Sequence, residues 1–362
     1  MKIYINGRFL SQRLTGVQRY AEELLKALNL LLEKDKTDSL SFEILAPRNI
    51  IARRLSLSAI PLRLVGRLKG HLWEELELPF YARESLLFNP CGVMPYFHQN
   101  QAITLHDAVV FAFPSHFPFA FRNARRVNQK FAARFARRII TDSFFSKQEL
   151  IRLCGAKDEK VSVVYLGSEH ILAEPADSSI LAAHGLLGRP FVLSVSTLNR
   201  YKNFSAVSRV AALLKKSGQS AEVIAVGGVN TRVFGKSNWG DLSSVRHIGS
   251  PSTPQLRALY ESAACFVFPS FYEGFGLPPL EAMACGCPVV ASNVAAIPEV
   301  LGDAALYFDP INDQDIFEKV RRVLEDPQLR KEMREKGLSR ARKWTWEKCA
   351  KETFEIFKEI AS

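Results

Sequence analysis

At 362 residues, with 47% hydrophobic and 23% charged side chains, the chain exceeds one core and suits two globular domains. No run approaches the roughly 18–20 apolar residues of a membrane span, and the opening MKIYINGRF lacks the h-region of a signal peptide. The formal net charge of +11 points to an anionic partner: nucleic acid, a phospholipid surface or a phosphorylated substrate. Six cysteines (Cys91, Cys154, Cys265, Cys285, Cys287 and Cys349) show no framework spacing, and C-x-C without companion ligands is a poor zinc signature. Free thiols in a reducing cytosol are expected, with no disulfide and no structural metal.

In chain order, residues 2–6 read as a strand and 17–32 as a helix, with Leu24, Leu25, Leu28 and Leu32 at helical spacing. Strand patterns follow at 42–46, 86–88, 102–105, 138–141 and 161–165. Helices at about 119–137 and 146–153 lie between the last three. Such alternation predicts a parallel sheet covered by helices on both faces. The segment 171–189, with Pro175, Gly185 and Gly188, reads as a linker between a domain over 1–170 and another over 190–344. The second series has strands at 191–196, 221–226, 245–248, 265–268, 289–291 and 305–308. Thr253-Pro254 suits a helix start, as N-cap followed by a first-turn proline. Two helices, 328–343 and 346–360, close the chain.

The most informative stretch is FPSFYEGFGLPPLEAMACGCPVVAS, residues 268–292. A strand runs into a glycine-rich loop carrying Glu273. A helix then starts at Pro278-Pro279, with Glu281 in its first turn, and stops at Gly286. Loops at strand C-termini hold the ligands of open α/β sheets. Backbone N–H groups of Gly274, Phe275, Gly276 and Leu277 beside a helix N-terminus suit an anion. Glu281 is placed to accept from ribose hydroxyls and Glu273 from sugar hydroxyls, so the stretch as a whole suits a nucleotide-sugar. Taken singly, Glu281 could merely complement the helix dipole, worth ~0.3–1 kcal/mol, and Glu273 could be a solvated loop residue.

These residues resemble the E-x7-E signature of retaining glycosyltransferases of family 4. The resemblance implies the GT-B fold: α/β, two Rossmann-like parallel-sheet domains facing a central cleft, with the segment 345–362 crossing back to the first domain. TGVQRYAEELLKAL is similar to the family's T-G-x-x-R-Y segment, whose glycine, here Gly16, faces the diphosphate or acceptor. ITLHD is similar to its H-D segment, whose histidine, here His106, contacts the donor sugar. In SVSTLNRYKNF, Lys202 matches a family cation that neutralises the leaving diphosphate. Arg200 is the nearest substitute for the family arginine, since Thr197 stands where other members have it. The backbone around Gly249 and Ser250 is implied to hold the nucleobase.

The implied reaction is metal-independent transfer of a hexose, with retention, from a nucleotide-sugar donor to a glycan or polyprenyl-diphosphate-linked acceptor. Bacterial surface polysaccharide (O-antigen, capsule or lipopolysaccharide) is the expected setting, and mannose or a deoxyhexose from a GDP-sugar the first reading. Two alternatives stand beside it: a GT-B-like nucleotide-sugar epimerase, and a basic nucleic-acid-binding protein. The latter should interleave aromatics with cations, whereas Phe131 and Phe135 read as lying on an opposite, apolar side of their helix; no nucleic-acid partner is expected. A stripe of Arg122, Arg126, Lys130, Arg134 and Arg137, with a second basic stretch of Arg53, Arg54, Arg63, Arg67 and Lys69, suggests an anionic membrane surface. The enzyme is therefore expected in the cytoplasm, peripheral on the inner face of the cytoplasmic membrane.

Overall fold

A computed structural model describes residues 1–34, 40–51, 55–196, 199–227 and 244–362. Arg53, Arg54 and Thr197 lie outside these described residues. The chain divides into two compact units. The first comprises Met1–Phe111, Arg122–Gly167 and Trp346–Ser362; the second comprises Ala112–Phe121 and Ser168–Thr345. The segment 171–189 therefore belongs to the second unit, where it contains a short helix, Ser179–Ala183.

Among the described residues of the first unit there are seven parallel strands: β1 (Lys2–Asn6), β2 (Ser41–Ala46), β3 (Leu62–Leu64), β4 (Leu86–Asn89), β5 (Gln101–Thr104), β6 (Arg138–Thr141) and β7 (Val161–Val163). Their order is β3-β2-β1-β4-β5-β6-β7. The edge strand β3 is only three residues, Leu-Arg-Leu, too short and too exposed for a strand pattern to stand out, and Arg63 in it pairs with Glu43 of β2 at 2.7 Å. The helix Trp346–Ala361 packs in this unit, with Phe357 against Phe42 and Phe88 at ring distances of 5.7 and 5.0 Å.

Among its described residues the second unit has six parallel strands: β8 (Phe191–Val195), β9 (Glu222–Val226), β10 (Val245–His247), β11 (Cys265–Phe268), β12 (Val289–Ser292) and β13 (Ala305–Phe308). They lie in the order β10-β9-β8-β11-β12-β13. Helices Phe204–Lys216 and Asp313–Glu325 bury Val207, Val210, Leu214, Ile316 and Val320 against Val223, Val267 and Val290 of the sheet.

Both sheets reverse their winding once, between β1 and β4 in the first and between β8 and β11 in the second. At such a reversal the two flanking strands send their chains to opposite faces, leaving a crevice outside their C-terminal ends. In the second unit that place is bounded by the loops after β8 and β11, which carry Lys202 and Glu273.

Two helix starts in the second unit bear on the site and differ from the sequence reading. Helix Thr253–Ser262 is capped by Ser252, whose hydroxyl and the Gln255 side chain form a reciprocal capping box, so Thr253 is already helical. The helix after Glu273 is Leu277–Ala284, with Gly276 as its N-cap at φ 97°. Glycine adopts that left-handed backbone without penalty, so the turn closes one residue earlier than the prolines suggested. Glu281 consequently sits in the second turn, where the helix dipole has little hold on it.

Candidate active site

Among its described residues, the loop after β8 carries a 3-10 turn, Arg200–Lys202, ended by Asn203 at φ 52°. Asparagine tolerates the left-handed region better than most residues. Here its side-chain amide donates to the Pro310 carbonyl at 2.8 Å, fixing the turn. The loop after β11 is tied to it, because the Phe271 N–H donates to the Tyr201 carbonyl at 2.8 Å. From below, the Ser292 hydroxyl braces the same loop, 2.7 Å from the Ser270 carbonyl.

This scaffold brings Lys202 Nζ to 2.6 Å from each oxygen of Glu273. The side chains retain only 17% and 9% of their exposure, so the pair is largely withdrawn from water yet reachable from it. Aromatic rings lie alongside: Phe117 meets Tyr201 at 5.8 Å and Phe113 meets Tyr272 at 5.8 Å. Both phenylalanines come from the segment Ala112–Phe121, which no sequence pattern connected with these loops. Arg200 is exposed on the same turn, and its charge, after burial, helps hold the His116 imidazole below its ordinary pKa.

Glu281 is buried, and both of its oxygens have partners. His170 Nε2 lies 2.8 Å from Oε1, and the Tyr260 hydroxyl donates to Oε2 at 3.2 Å. Burial, then the Glu281 charge, raises the Tyr260 pKa well above its ordinary value, so the phenol stays protonated and donates. A carboxylate accepts about four hydrogen bonds, which leaves capacity for ligand hydroxyls. Among the loop residues, Gly274, Phe275 and Gly276 are buried and Leu277 is half-buried. Gly249 spends its own polar groups in a turn: its N–H meets His247 Nδ1 at 3.3 Å, and its carbonyl accepts from Gly227 at 2.9 Å. Ser250 is exposed beside it.

In the first unit, Gly16 opens the helix Gly16–Lys34 at the surface, and a Cβ built there meets nothing within 4 Å. No packing within the unit calls for glycine at that position. His106 follows β5 with both ring nitrogens against acceptors: Asp142 Oδ2 at 2.7 Å and the Pro90 carbonyl at 3.2 Å. Burial lowers the imidazole pKa, but the Asp142 carboxylate and its hydrogen bond outweigh that, so His106 titrates above its ordinary value. Burial keeps Asp142 above the usual carboxylate range.

The helix Phe119–Phe135 corrects the expected separation of its faces. It buries Asn128, Gln129, Ala132 and Ala133, whereas Val127 and Phe135 are 58% and 53% exposed. Lys130 and Arg134 are exposed with them, and the Arg134 guanidinium lies 5.5 Å from the Phe135 ring centre. Phe135 thus shares a face with the cations, whereas Phe131 is half-buried against the core, as expected. Arg126 is held inward, donating to the Val110 carbonyl at 3.0 Å, and Arg122 is half-buried.

Residues 179–340 match the model of the family described as glycosyl transferases group 1. The chain is a glycosyltransferase of GT-B fold. Along 99% of its length, and 100% of the relative's, the glycosyltransferase is 28% identical to O-antigen chain mannosyltransferase B of Escherichia coli. Its structure superposes on sucrose-phosphate synthase of Thermosynechococcus elongatus with TM-score 0.75 and 19% identity, covering 100% of this chain and 99% of that one. For Anabaena HepE, solved in complex with UDP and glucose, the TM-score is 0.74 at 20% identity, with 99% of each chain covered. At those identities the two structures establish the fold.

Sequence reasoning missed His170 and Tyr260. A lone histidine in the run GSEHIL carries no spacing signal, and Tyr260 reads as an ordinary apolar helix position. No helix among the described residues is long and apolar enough to cross a membrane.

Proposed function

We propose that the glycosyltransferase moves a hexose, with retention of configuration, from a nucleotide-sugar to a glycan or lipid-linked acceptor of a bacterial surface polysaccharide. The observation that carries the reading is the Lys202–Glu273 pair at the winding reversal of the second sheet, with Glu281 on the next helix. The full-length similarity to an O-antigen chain mannosyltransferase supports the setting, and makes GDP-mannose or a GDP-deoxyhexose the first donor to test.

In this reading Glu281 accepts from ribose hydroxyls, the exposed backbone at Ser250, presented by the turn at Gly249, meets the base, and Glu273 accepts from sugar hydroxyls. Lys202 and Arg200, with the N–H groups of 274–277, stabilise the charge that grows on the departing diphosphate. No metal is required in that role. A donor phosphate oxygen takes the proton of the attacking acceptor hydroxyl on the same face, which gives retention without a protein nucleophile. Of the first unit's residues, His106 is assigned to the donor sugar and Gly16 to the diphosphate or acceptor.

The exposed face of Val127, Lys130, Arg134 and Phe135 has the make-up of a segment lying at an anionic bilayer surface. It supports a peripheral location on the inner face of the cytoplasmic membrane, with a polyprenyl-diphosphate-linked acceptor. The deciding experiment incubates the purified protein with GDP-mannose, GDP-fucose, UDP-glucose or dTDP-rhamnose and a synthetic lipid-diphosphate glycan, then determines the anomeric configuration of the product by NMR. Transfer with retention is expected. Inversion, or free nucleotide without any glycosidic product, overturns the proposal.

A further inference from the structure

Glu281 is held more firmly than hydrogen bonding to a ligand alone demands. Its carboxylate is clamped from two separate parts of the second unit: His170 in the turn Glu169–Leu172, and Tyr260 in the helix Thr253–Ser262. Tyr260 is fully buried and the His170 side chain is 2% exposed, so neither donor can be replaced by water without rearrangement. Since a carboxylate only accepts, the proton between His170 and Glu281 sits on Nε2. One donor engages each oxygen, which removes the freedom of the carboxylate to rotate and aims its remaining lone pairs in one direction.

We infer that His170 and Tyr260 are positioning residues that make the donor site selective for ribonucleoside over 2′-deoxyribonucleoside diphosphates. The inference rests on Glu281 meeting the ribose. A fixed pair of acceptors matches two vicinal hydroxyls held at a set separation. A 2′-deoxy ring offers only one, leaving a buried acceptor short of a partner. Losing one hydrogen bond to a charged group should cost roughly 10- to 150-fold in affinity. Donors built on dTDP fall on the disfavoured side, whatever their sugar.

The test measures affinities by calorimetry for GDP and 2′-deoxy-GDP, and for UDP and 2′-deoxy-UDP, with the wild type, His170→Ala, His170→Gln, Tyr260→Phe and Glu281→Ala. Wild-type protein should prefer the tighter-binding ribo form over its deoxy counterpart by at least about 10-fold. His170→Ala should lose most of that preference while its affinity for the deoxy form changes little, and His170→Gln, which keeps a donor at the same reach, should recover part of it. Tyr260→Phe should show a smaller loss of the same kind. If His170→Ala weakens ribo and deoxy forms equally, or neither, His170 is a packing residue and the inference is wrong. A ribo-to-deoxy ratio untouched by Glu281→Ala would instead remove Glu281 from the ribose, a failure of the underlying reading that this variant alone reports.

Discussion

Lys202 holds both oxygens of Glu273 at 2.6 Å, so the cation assigned to the diphosphate and the carboxylate assigned to the sugar are each other's partner. Removing either one leaves a charge stranded in a largely dry place, a change that typically costs about 3–5 kcal/mol when the site is fully buried and less when water can reach it. Lys202→Ala should therefore lower both thermal stability and turnover, the latter by roughly 100-fold or more. Combining it with Glu273→Gln should restore much of the stability without restoring turnover. A double variant as unstable as the single one would mean that the pair is not what stability depends on.

Glu273 and Glu281 should separate under mutation. Glu273→Gln is expected to depress transfer more than nucleotide affinity, because its proposed ligand partner is the sugar. Glu281→Ala should weaken binding of free nucleotide by about 1.5–3 kcal/mol per ribose hydrogen bond lost. Titration with nucleotide alone and with nucleotide-sugar distinguishes them. Parallel losses in both measurements for Glu273→Gln would overturn its assignment to the sugar.

His106 should make the first unit's stability depend on pH. Its pKa is raised in the folded state, so its contribution is complete below the ordinary value of 6.5 and is lost as pH rises through the higher folded value. Asp142→Asn should remove this dependence and bring the His106 pKa down, as read by NMR of the ring protons. A His106 pKa unmoved by Asp142→Asn would show that the carboxylate is not its cause.

For the proposed membrane face, cosedimentation with vesicles is the direct measurement. Binding should appear with anionic vesicles and fade as salt is raised, each surface cation contributing about 1 kcal/mol. Replacing Lys130 and Arg134 by glutamine should weaken it, as should Phe135→Ser. Arg126, held by the Val110 carbonyl, should matter less. Equal partitioning onto neutral and anionic vesicles would leave the stripe an ordinary charged surface.

A chelator should leave turnover essentially unchanged if protein cations alone meet the diphosphate. Strong inhibition by EDTA, reversed by Mg²⁺ or Mn²⁺, would overturn that part of the mechanism.

Strand and helix alternation was legible in the sequence because parallel strands buried on both faces are short apolar runs, and twelve of them stand out between helical patterns. Only β3 escaped, being an exposed edge. The acidic loop and its helix were legible too, since Gly276, Pro278 and Pro279 are punctuation with a fixed backbone meaning. What the sequence could not supply was proximity between residues far apart in the chain. Lys202 and Glu273 are 71 residues apart, and His170 and Glu281 are 111 apart. Strand order alone decides that the loops after β8 and β11 become neighbours, and no local pattern encodes strand order. The same holds for the helix Phe119–Phe135: its cations were countable from sequence, but which side chains faced water was set by what packed beneath Asn128, Ala132 and Ala133. Local chemistry named the participants, and the winding of two sheets chose their partners.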